Sequence, residues 1–147
     1  MIRKATKNDL KIIMDIWLSA NVSAHNFISE EYWNNHFEEV RTAISSSEIY
    51  VFEDSVIKGF VGLKGNYIAG IFIKEEFQSK GIGGKLISFL KTFKPELILN
   101  VYEQNKNAVE FYEKHGFQIS QKNVEEETGH IEYQMIWRVR LLFDCGG

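Results

Sequence analysis

The stretch QSKGIGG, residues 78–84, carries three glycines where an apolar run ends and a helix-like pattern begins. The first turn of a helix presents unpaired backbone N–H groups and the positive end of the helix dipole, and both favour bound anions. Three glycines leave little side-chain bulk in the way of a phosphate, whereas a helix cap alone needs one. The pattern therefore predicts a loop that holds a phosphate-bearing ligand.

Two common phosphate-binding motifs are excluded by the residues that follow these glycines. A Walker A loop needs a Ser or Thr after its Gly-Lys pair to bind Mg²⁺, but Leu86 follows Gly84-Lys85. The dinucleotide fingerprint G-x-G-x-x-G needs a third glycine at the position of Leu86. We therefore expect neither a nucleoside triphosphatase nor a dinucleotide-binding enzyme.

A second segment, NVYEQNKNAVEFYEKHGF at 100–117, lies downstream of the loop. The loop resembles the Q/R-x-x-G-x-G/A motif of the GCN5-related N-acetyltransferase (GNAT) family, and the segment resembles that family's N-x-x-A-x-x-[LF]-Y-x-x-x-G-F motif. The residues that match the second motif are Asn105, Ala108, Phe111, Tyr112, Gly116 and Phe117. Two motifs in the family's order identify the chain as a member, most similar to the small bacterial acetyltransferases.

The resemblance implies an acetyl-CoA-dependent N-acetyltransferase, in which a primary amine attacks the thioester directly. The amine could belong to a peptide N-terminus, a lysine side chain or a small molecule. Acetyl-CoA is the implied co-substrate. Its implied contacts are Ile71, Phe72, Ile73, Gln78, Ser79, Lys80, Gly81, Ile82, Gly83, Gly84, Lys85, Asn105, Ala108, Phe111 and Tyr112. The alternative is a catalytically weak acyl-CoA-binding sensor or regulatory module, and the presence of Tyr112 favours the enzyme.

Two catalytic roles follow from the same resemblance. Tyr112 is the implied general acid for the leaving thiolate, and a backbone N–H of Phe72 or Ile73 is the implied oxyanion donor. A tyrosine with a pKa of about 10 stays protonated at neutral pH and can still donate to a thiolate of pKa about 8.5. Helix spacing alone would favour a core aromatic at Tyr112, because Ala108 and Phe111 share its face.

The general base is left unassigned by the sequence. A lysine-like amine with a pKa of about 10.4 is mostly protonated at pH 7, so a base or a water chain must take its proton. Many family members carry a glutamate on the strand before the glycine loop, but NYIAGIFI contains no carboxylate. The candidates are His25, Glu30, Glu31, Glu103 and, through a water, Tyr67. His25 comes first because an imidazole titrates near neutrality.

The segment NVSAHNFISEEYWNNHF, residues 21–37, joins the first two predicted helices, which cover the acceptor side of the cleft in the family. Its aromatic residues Phe27, Tyr32 and Trp33, together with acidic Glu30 and Glu31, predict an entrance suited to a cationic amine. The histidines in this segment have no ligand partners at metal-site spacing, so we expect no metal.

The elements that must position these residues follow from hydrophobic periodicity. Helix-type and strand-type patterns alternate in the order β-α-α-β-β-β-α-β-α-β-β, which predicts an α/β domain with one central mixed sheet and about four helices. Asp54-Ser55 is the expected turn of a hairpin, and Gly116 is the expected end of the last helix. The GNAT acyl-CoA N-acyltransferase fold is what the resemblance implies.

Composition limits the remaining possibilities. The 147 residues fit one domain, with a short tail after about residue 140. A net charge of −3 gives no reason to expect nucleic acid, and no apolar run reaches the ~18 residues of a membrane span. The single cysteine, Cys145, excludes an internal disulfide, so a reducing, cytoplasmic location is expected.

The oligomeric state is open between monomer and homodimer. The sequence leaves two candidate pairing edges, the exposed end of the long last strand and the tail RLLFDCGG, because an apolar strand edge can pair with another chain. Cys145 lies in this tail without a positioned His partner, so we expect it to have no catalytic role.

Overall fold

The computed structural model describes residues 1–139, and within this range the chain forms seven strands and four helices. Short 3₁₀ turns at Lys7–Asp9 and Glu75–Phe77 precede the first and third helices. The elements are β1 (Ile2–Lys4), α1 (Leu10–Ala24), α2 (Glu30–Ser45), β2 (Glu48–Asp54), β3 (Val56–Lys64), β4 (Tyr67–Ile73), α3 (Ile82–Lys91), β5 (Glu96–Tyr102), α4 (Lys106–Lys114), β6 (Gln118–Val124) and β7 (Ile131–Arg138). The predicted order of helices and strands is confirmed.

The strands form one mixed sheet in the order β1-β2-β3-β4-β5-β7-β6. All neighbours are antiparallel except β4 and β5, which are parallel and pair only where Tyr67 and Ile68 face Ile98 and Leu99. Beyond these two pairs the strands separate, so the sheet opens at the carboxyl ends of β4 and β5. The predicted fold class is confirmed, and the opening is where a ligand can enter the sheet.

Each face of the sheet carries its own hydrophobic core. On one face α3 and α4 pack over strand residues such as Leu63, Leu97 and Leu99, all at most 1% exposed. On the other face α1 and α2 pack over Val51 and Phe60. Because both faces are covered by apolar side chains, the helices are held rigidly on either side of the opening between β4 and β5.

A β-bulge in β4 changes the direction of its backbone beside the opening. Gly62 pairs with Gly70 but Leu63 pairs with Ile68, so Ala69 is an extra residue on β4. Bulges kink a strand and increase its twist, and they are common next to active sites. The bulge immediately precedes residues 70–73, where β4 leaves β5.

The last strand is paired on both sides over most of its described length. β7 pairs with β5 from Glu96↔Arg138 to Tyr102↔Glu132 and with β6 on its other side. β6 returns as a hairpin and covers β7 from Ile131 to Ile136, so the idea that the exposed end of this strand pairs with another chain stays a prediction. The sheet edges of residues 1–139 are β1 and β6. The tail 140–147, with Cys145, lies outside the described residues.

The start of the chain is held by a charge cluster that makes stability depend on pH. Arg3 donates to Asp9 at 2.9 Å and to Glu53 at 2.9 Å, and the Thr6 N–H donates to Asp9 at 2.7 Å. Hydrogen bonding from Arg3 lowers the pKa of Asp9 from 3.8 to about 2. A carboxyl with a lowered folded-state pKa stabilises the fold above its unfolded pKa, and this stabilisation disappears as the pH falls through the folded value.

We expect Asp9→Asn to lower the free energy of unfolding by ~1–2 kcal/mol at pH 7, allowing for screening of the partly exposed Arg3. The deficit should shrink from about pH 4 downward and vanish near pH 2. Urea denaturation at several pH values measures it. Asp54→Asn is the control, because the Asp54 side chain is 69% exposed. An Asp9→Asn deficit that stays constant from pH 7 to pH 2 would contradict the ionic explanation.

Within residues 1–139, none of the helices combines the length and the apolar character needed to cross a membrane.

Candidate active site

The opening between β4 and β5 widens into a cleft of about 1340 Å³. It runs from the loop before α3 to the connection between α1 and α2. Every residue expected to contact the cofactor lines this cleft except Lys80, whose side chain is exposed. On the acceptor side Tyr32 and Trp33 line it, whereas Phe27 lies behind His25 and packs on Tyr102. The structure thus brings together two sets of residues that are far apart in the sequence.

The glycine loop ends in a turn shaped for an anion. Ser79 has a φ of 63° and Gly81 a φ of 84°, so two of three successive residues are left-handed. Such alternation makes backbone N–H groups converge on one concavity. Lys85 is the first residue of α3 whose N–H bonds back, to the Gly81 carbonyl at 3.0 Å. Among the described residues the N–H groups of Ile82, Gly83 and Gly84 have no backbone partner, so they are available to a ligand.

The loop glycines are also required by close packing. A Cβ on Gly83 would lie 3.0 Å from the Phe111 ring, and one on Gly84 would lie 3.1 Å from the His115 ring. Both rings belong to the end of the chain's second motif and line the cleft. The two sequence motifs therefore touch one another, and the glycines keep α3 close to α4.

The register of β4 determines which of its N–H groups face the opening. The Lys74 N–H donates to the Lys58 carbonyl at 2.9 Å, and hydrogen-bonded pairs alternate along antiparallel strands. Phe72 is therefore in a bonded pair with Phe60, while the N–H of Ile73 points away from β3. Of the two N–H groups considered for the oxyanion, that of Ile73 is directed toward the cleft.

The helix α4 begins at a cap made by Asn105. The Asn105 Oδ1 accepts from the Ala108 N–H at 3.3 Å, which orients the Nδ2 group toward His25, 3.1 Å from its Nε2. Asn105 is thus fixed at both ends of its amide. This contact links α4 to the connection between α1 and α2, 80 residues away in the sequence.

Tyr112 lies about two helical turns after Asn105 on α4 and is 8% exposed. It packs against Phe111 and Phe117 and lines the cleft. Its hydroxyl makes no hydrogen bond with any described residue, so it is free to meet a ligand. Burial, with a smaller contribution from Tyr67, raises the pKa of Tyr112 well above its ordinary value of 10.0. The phenol therefore keeps its proton throughout the physiological pH range.

His25 is enclosed by aromatic rings and is poorly placed to exchange protons with a ligand. Its ring centroid lies 5.3 Å from those of Trp33 and Tyr102. Nδ1 is buried without a hydrogen-bond partner among the described residues, and Nε2 faces Asn105. Burial lowers the pKa of His25, although the Asn21 backbone opposes the shift. The geometry is that of a neutral imidazole that packs the acceptor side.

The acidic character of the acceptor side comes from residues that the sequence did not indicate. Glu31 is exposed, Glu30 faces a separate shallow groove, and Glu103 bonds Tyr133 at 2.6 Å, so none of the three lines the cleft. The carboxylates that do line it are Glu39, Glu127 and Glu132. The expected acidic, aromatic entrance is present, but its carboxylates come from α2 and from the β6–β7 hairpin.

Most of the carboxylates on the acceptor side form ion pairs or hydrogen bonds with neighbouring side chains. His36 bridges Glu39 at 3.1 Å and Glu127 at 2.9 Å, which ties α2 to the β6–β7 hairpin. Glu125 accepts from the Tyr102 hydroxyl at 3.0 Å. Burial and the charges of Glu125 and Glu127 raise the pKa of Tyr32 to about 12. This half of the cleft is therefore aromatic and negatively charged.

The opposite half has the reverse polarity. Lys85, Lys114 and His115 line it together with the start of α3. Lys114 and His115 were not among the expected site residues, although helix spacing places His115 on the face of Phe111 and Tyr112. The cleft therefore offers N–H groups and cations at one end and carboxylates with aromatic rings at the other.

Comparison with known proteins agrees with this geometry. Over residues 14–138 the chain matches the family model of the acetyltransferase (GNAT) domain. The chain belongs to the GNAT family. It is 32% identical to the peptidyl-lysine N-acetyltransferase YiaC of Escherichia coli (strain K12). The 142 aligned residues cover 95% of this chain and 97% of YiaC.

Two further relatives of this GNAT protein support the assignment. It is 29% identical over 130 residues to the peptidyl-lysine N-acetyltransferase YjaB of Escherichia coli (strain K12), covering 87% of this chain and 88% of the relative. The solution structure of apo YjaB from Escherichia coli matches with a TM-score of 0.83 at 26% identity, over 92% of this chain and 95% of that one. The PaiA N-acetyltransferase of Thermoplasma acidophilum, in complex with coenzyme A, has the same fold, with a TM-score of 0.75 at 23% identity over 95% and 98% of the chains.

This GNAT protein is thus an acetyl-CoA-dependent N-acetyltransferase. In residues 1–139 no three His, Cys, Asp or Glu side chains are grouped as metal ligands would be.

Proposed function

We propose that this GNAT enzyme acetylates the side-chain amine of lysine in proteins. The observation that carries the proposal is the opposite polarity of the two ends of a cleft that Tyr112 also lines. An anionic donor fits the N–H groups and cations at the start of α3. A cationic alkylammonium fits the carboxylates and aromatic rings of the other end, because cations are attracted to ring faces as well as to carboxylates. The curated relatives YiaC and YjaB are both named peptidyl-lysine N-acetyltransferases.

The donor half is proposed to hold acetyl-CoA by its pyrophosphate. The N–H groups of Ile82, Gly83 and Gly84 suit a pyrophosphate, since they are unpaired and lie at the positive end of the α3 dipole. Lys85 and Lys114 add positive charge. PaiA, which shares the fold, is in complex with coenzyme A. The unpaired edge of β4 at residues 71–73 can hydrogen-bond the amides of the cofactor's pantetheine arm.

Three groups of this chain are proposed to act on the reacting atoms. The Ile73 N–H stabilises the oxyanion that forms when the amine attacks the thioester carbonyl, a contribution of about 3 kcal/mol in comparable sites. Tyr112 then gives its proton to the departing thiolate. Asn105 positions α4, and thus Tyr112, through its cap. A sensor that binds acyl-CoA without catalysis is not favoured, because Tyr112 lines the cleft and its phenol keeps its proton at neutral pH.

The proposal predicts acetylation of lysine by the unchanged enzyme. Acetyl-CoA and a peptide with one lysine and a blocked N-terminus should release thiol at a rate that rises with peptide concentration. Mass spectrometry should place a single acetyl group on the lysine Nε. A peptide in which the lysine is replaced by norleucine, with a free N-terminus, is the control. Thiol release with the control but not with the lysine peptide would overturn the lysine assignment and indicate an N-terminal acceptor.

A further inference from the structure

Glu132 differs from the other carboxylates of the acceptor side. Glu39 and Glu127 are paired with His36, and Glu125 is bonded to Tyr102. Glu132 lines the cleft and is partly buried, but its carboxylate makes no ion pair or hydrogen bond with any other residue in the range 1–139. A partly buried carboxylate that faces a cleft is less well solvated than one in open water, so a cationic ligand that becomes its partner is favoured.

The sheet register places Glu132 beside the opening. Glu132 on β7 is directly opposite Tyr102 at the end of β5, and opposite residues of antiparallel strands project from the same face. Two residues earlier on that face of β5 is Asn100, whose amide donates to the Tyr67 hydroxyl at 3.1 Å. Burial and, to a smaller extent, the charge of Glu132 raise the pKa of Tyr67. Glu132, Asn100 and Tyr67 are therefore neighbours on one wall of the cleft.

We infer that Glu132 is the carboxylate that binds the ammonium group of the incoming lysine and takes its proton. The inference rests on the proposed function and supplies the base that β4 lacks. His25 is less suited to this task, because one ring nitrogen is buried and the other faces Asn105.

The proton balance is complete with the groups described. Glu132 accepts one proton from the lysine ammonium, which leaves a neutral amine whose electron pair forms the new C–N bond. The C–S bond then breaks, its electrons pass to sulfur, and Tyr112 protonates the thiolate. The second proton on nitrogen leaves as the amide forms and restores Tyr112 through solvent, while Glu132 releases its proton to solvent. Each acetyl transfer thus yields one free thiol and one proton.

The pH dependence follows from the surroundings of Glu132. Burial and the charge of Glu125 raise the pKa of Glu132 above its ordinary value of 4.5. As the pH falls through this raised value the carboxylate becomes neutral and can no longer accept a proton. The other titratable groups that share or border this half of the cleft are Tyr67, Tyr102, His25, Tyr32, His36, Glu39, Glu125 and Glu127.

The test compares Glu132→Gln with Glu126→Gln, which removes a charge from an exposed residue in the connection between β6 and β7. With a lysine peptide, kcat/KM of Glu132→Gln should fall roughly tenfold to a hundredfold, since a positioned base contributes at least this much. The ionisation at low pH should disappear from the plot of kcat/KM against pH. The acetyl-CoA affinity, measured by calorimetry, should stay within about threefold of that of the unchanged enzyme. Glu126→Gln should behave as the unchanged enzyme does.

Two further measurements separate proton transfer from structural damage. Glu132→Asp keeps the charge on a shorter side chain, so it should retain the low-pH ionisation at a reduced rate. A peptide carrying aminoethylcysteine has an amine that is less basic than that of lysine and therefore depends less on a base. With this peptide the difference in kcat/KM between Glu132→Gln and the unchanged enzyme should be smaller.

The outcomes distinguish the inference from the proposed function. An active enzyme in which Glu132→Gln keeps full kcat/KM and an unchanged pH profile would overturn the role of Glu132 alone. Failure of the unchanged enzyme to acetylate any lysine peptide would overturn the proposed function and the inference together.

Discussion

Tyr112→Phe is expected to reduce kcat by roughly 10³-fold while acetyl-CoA still binds. The substitution removes one hydroxyl, and that hydroxyl has no hydrogen bond to any described residue, so the packing against Phe111 and Phe117 is kept. What is lost is the proton for the leaving thiolate, and a general acid contributes 10²–10⁴-fold in comparable enzymes. Thiol release under saturating acetyl-CoA and lysine peptide measures kcat, and titration calorimetry measures acetyl-CoA affinity.

Tyr50→Phe is the matched control for this experiment. The Tyr50 hydroxyl bonds Glu48, its ring packs on Phe89 and Phe93, and it lies outside the cleft. We expect its activity to remain within about twofold of the unchanged enzyme. If Tyr112→Phe kept near-normal kcat, the acid would have to be another group or water. If it lost acetyl-CoA binding as well, its role would be structural.

The raised pKa of Tyr112 adds a qualitative expectation. Because burial keeps the phenol protonated, any loss of activity between pH 8 and 10 belongs to another group. A tyrosine with an ordinary pKa would begin to lose its proton in this range.

Gly81→Val is expected to weaken acetyl-CoA binding roughly a hundredfold. Gly81 has a φ of 84°, a conformation that a β-branched residue adopts only at a cost of 1–3 kcal/mol. Relief of this strain must turn the peptide groups at the start of α3, so the N–H groups that converge there would separate. The loss of about 2.8 kcal/mol in binding corresponds to a hundredfold change in Kd. Calorimetric titration with acetyl-CoA and with coenzyme A measures it.

Gly65→Val provides a control with the same kind of backbone strain. Gly65 has a φ of 60°, lies in the β3–β4 turn and, like Gly81, has open space where a Cβ would stand. Both variants should lose similar amounts of stability in thermal unfolding, but only Gly81→Val should lose acetyl-CoA affinity. Equal affinities for the two variants would mean that the turn at Gly81 does not form the phosphate site.

Local sequence patterns were sufficient to predict the order of helices and strands and the residues of the donor half of the cleft. Periods of 3.6 and 2 are properties of short segments, so they predicted all seven strands and four helices of the described range in order. The glycine loop and the Asn105 to Phe117 motif could be recognised because their spacing lies within one turn or one helix.

The acceptor half could not be predicted in the same way. The sequence suggested Glu30, Glu31 and Glu103 as bases, but each points elsewhere in the structure. Glu132 was visible only as a polar position in an alternating strand. Its place beside the opening depends on β7 entering the sheet between β5 and β6, and strand order is a long-range property.

The sequence by itself determined the order of elements, the anion-binding turn before α3 and the place of Tyr112 on α4, because each depends on residues close together in the chain. The tertiary structure alone decided that β4 separates from β5, that the Ile73 N–H faces the opening between them and that His25 contacts Asn105. It also decided that the free carboxylate is Glu132. These features depend on strand register and on packing between segments up to 80 residues apart, which no local spacing encodes.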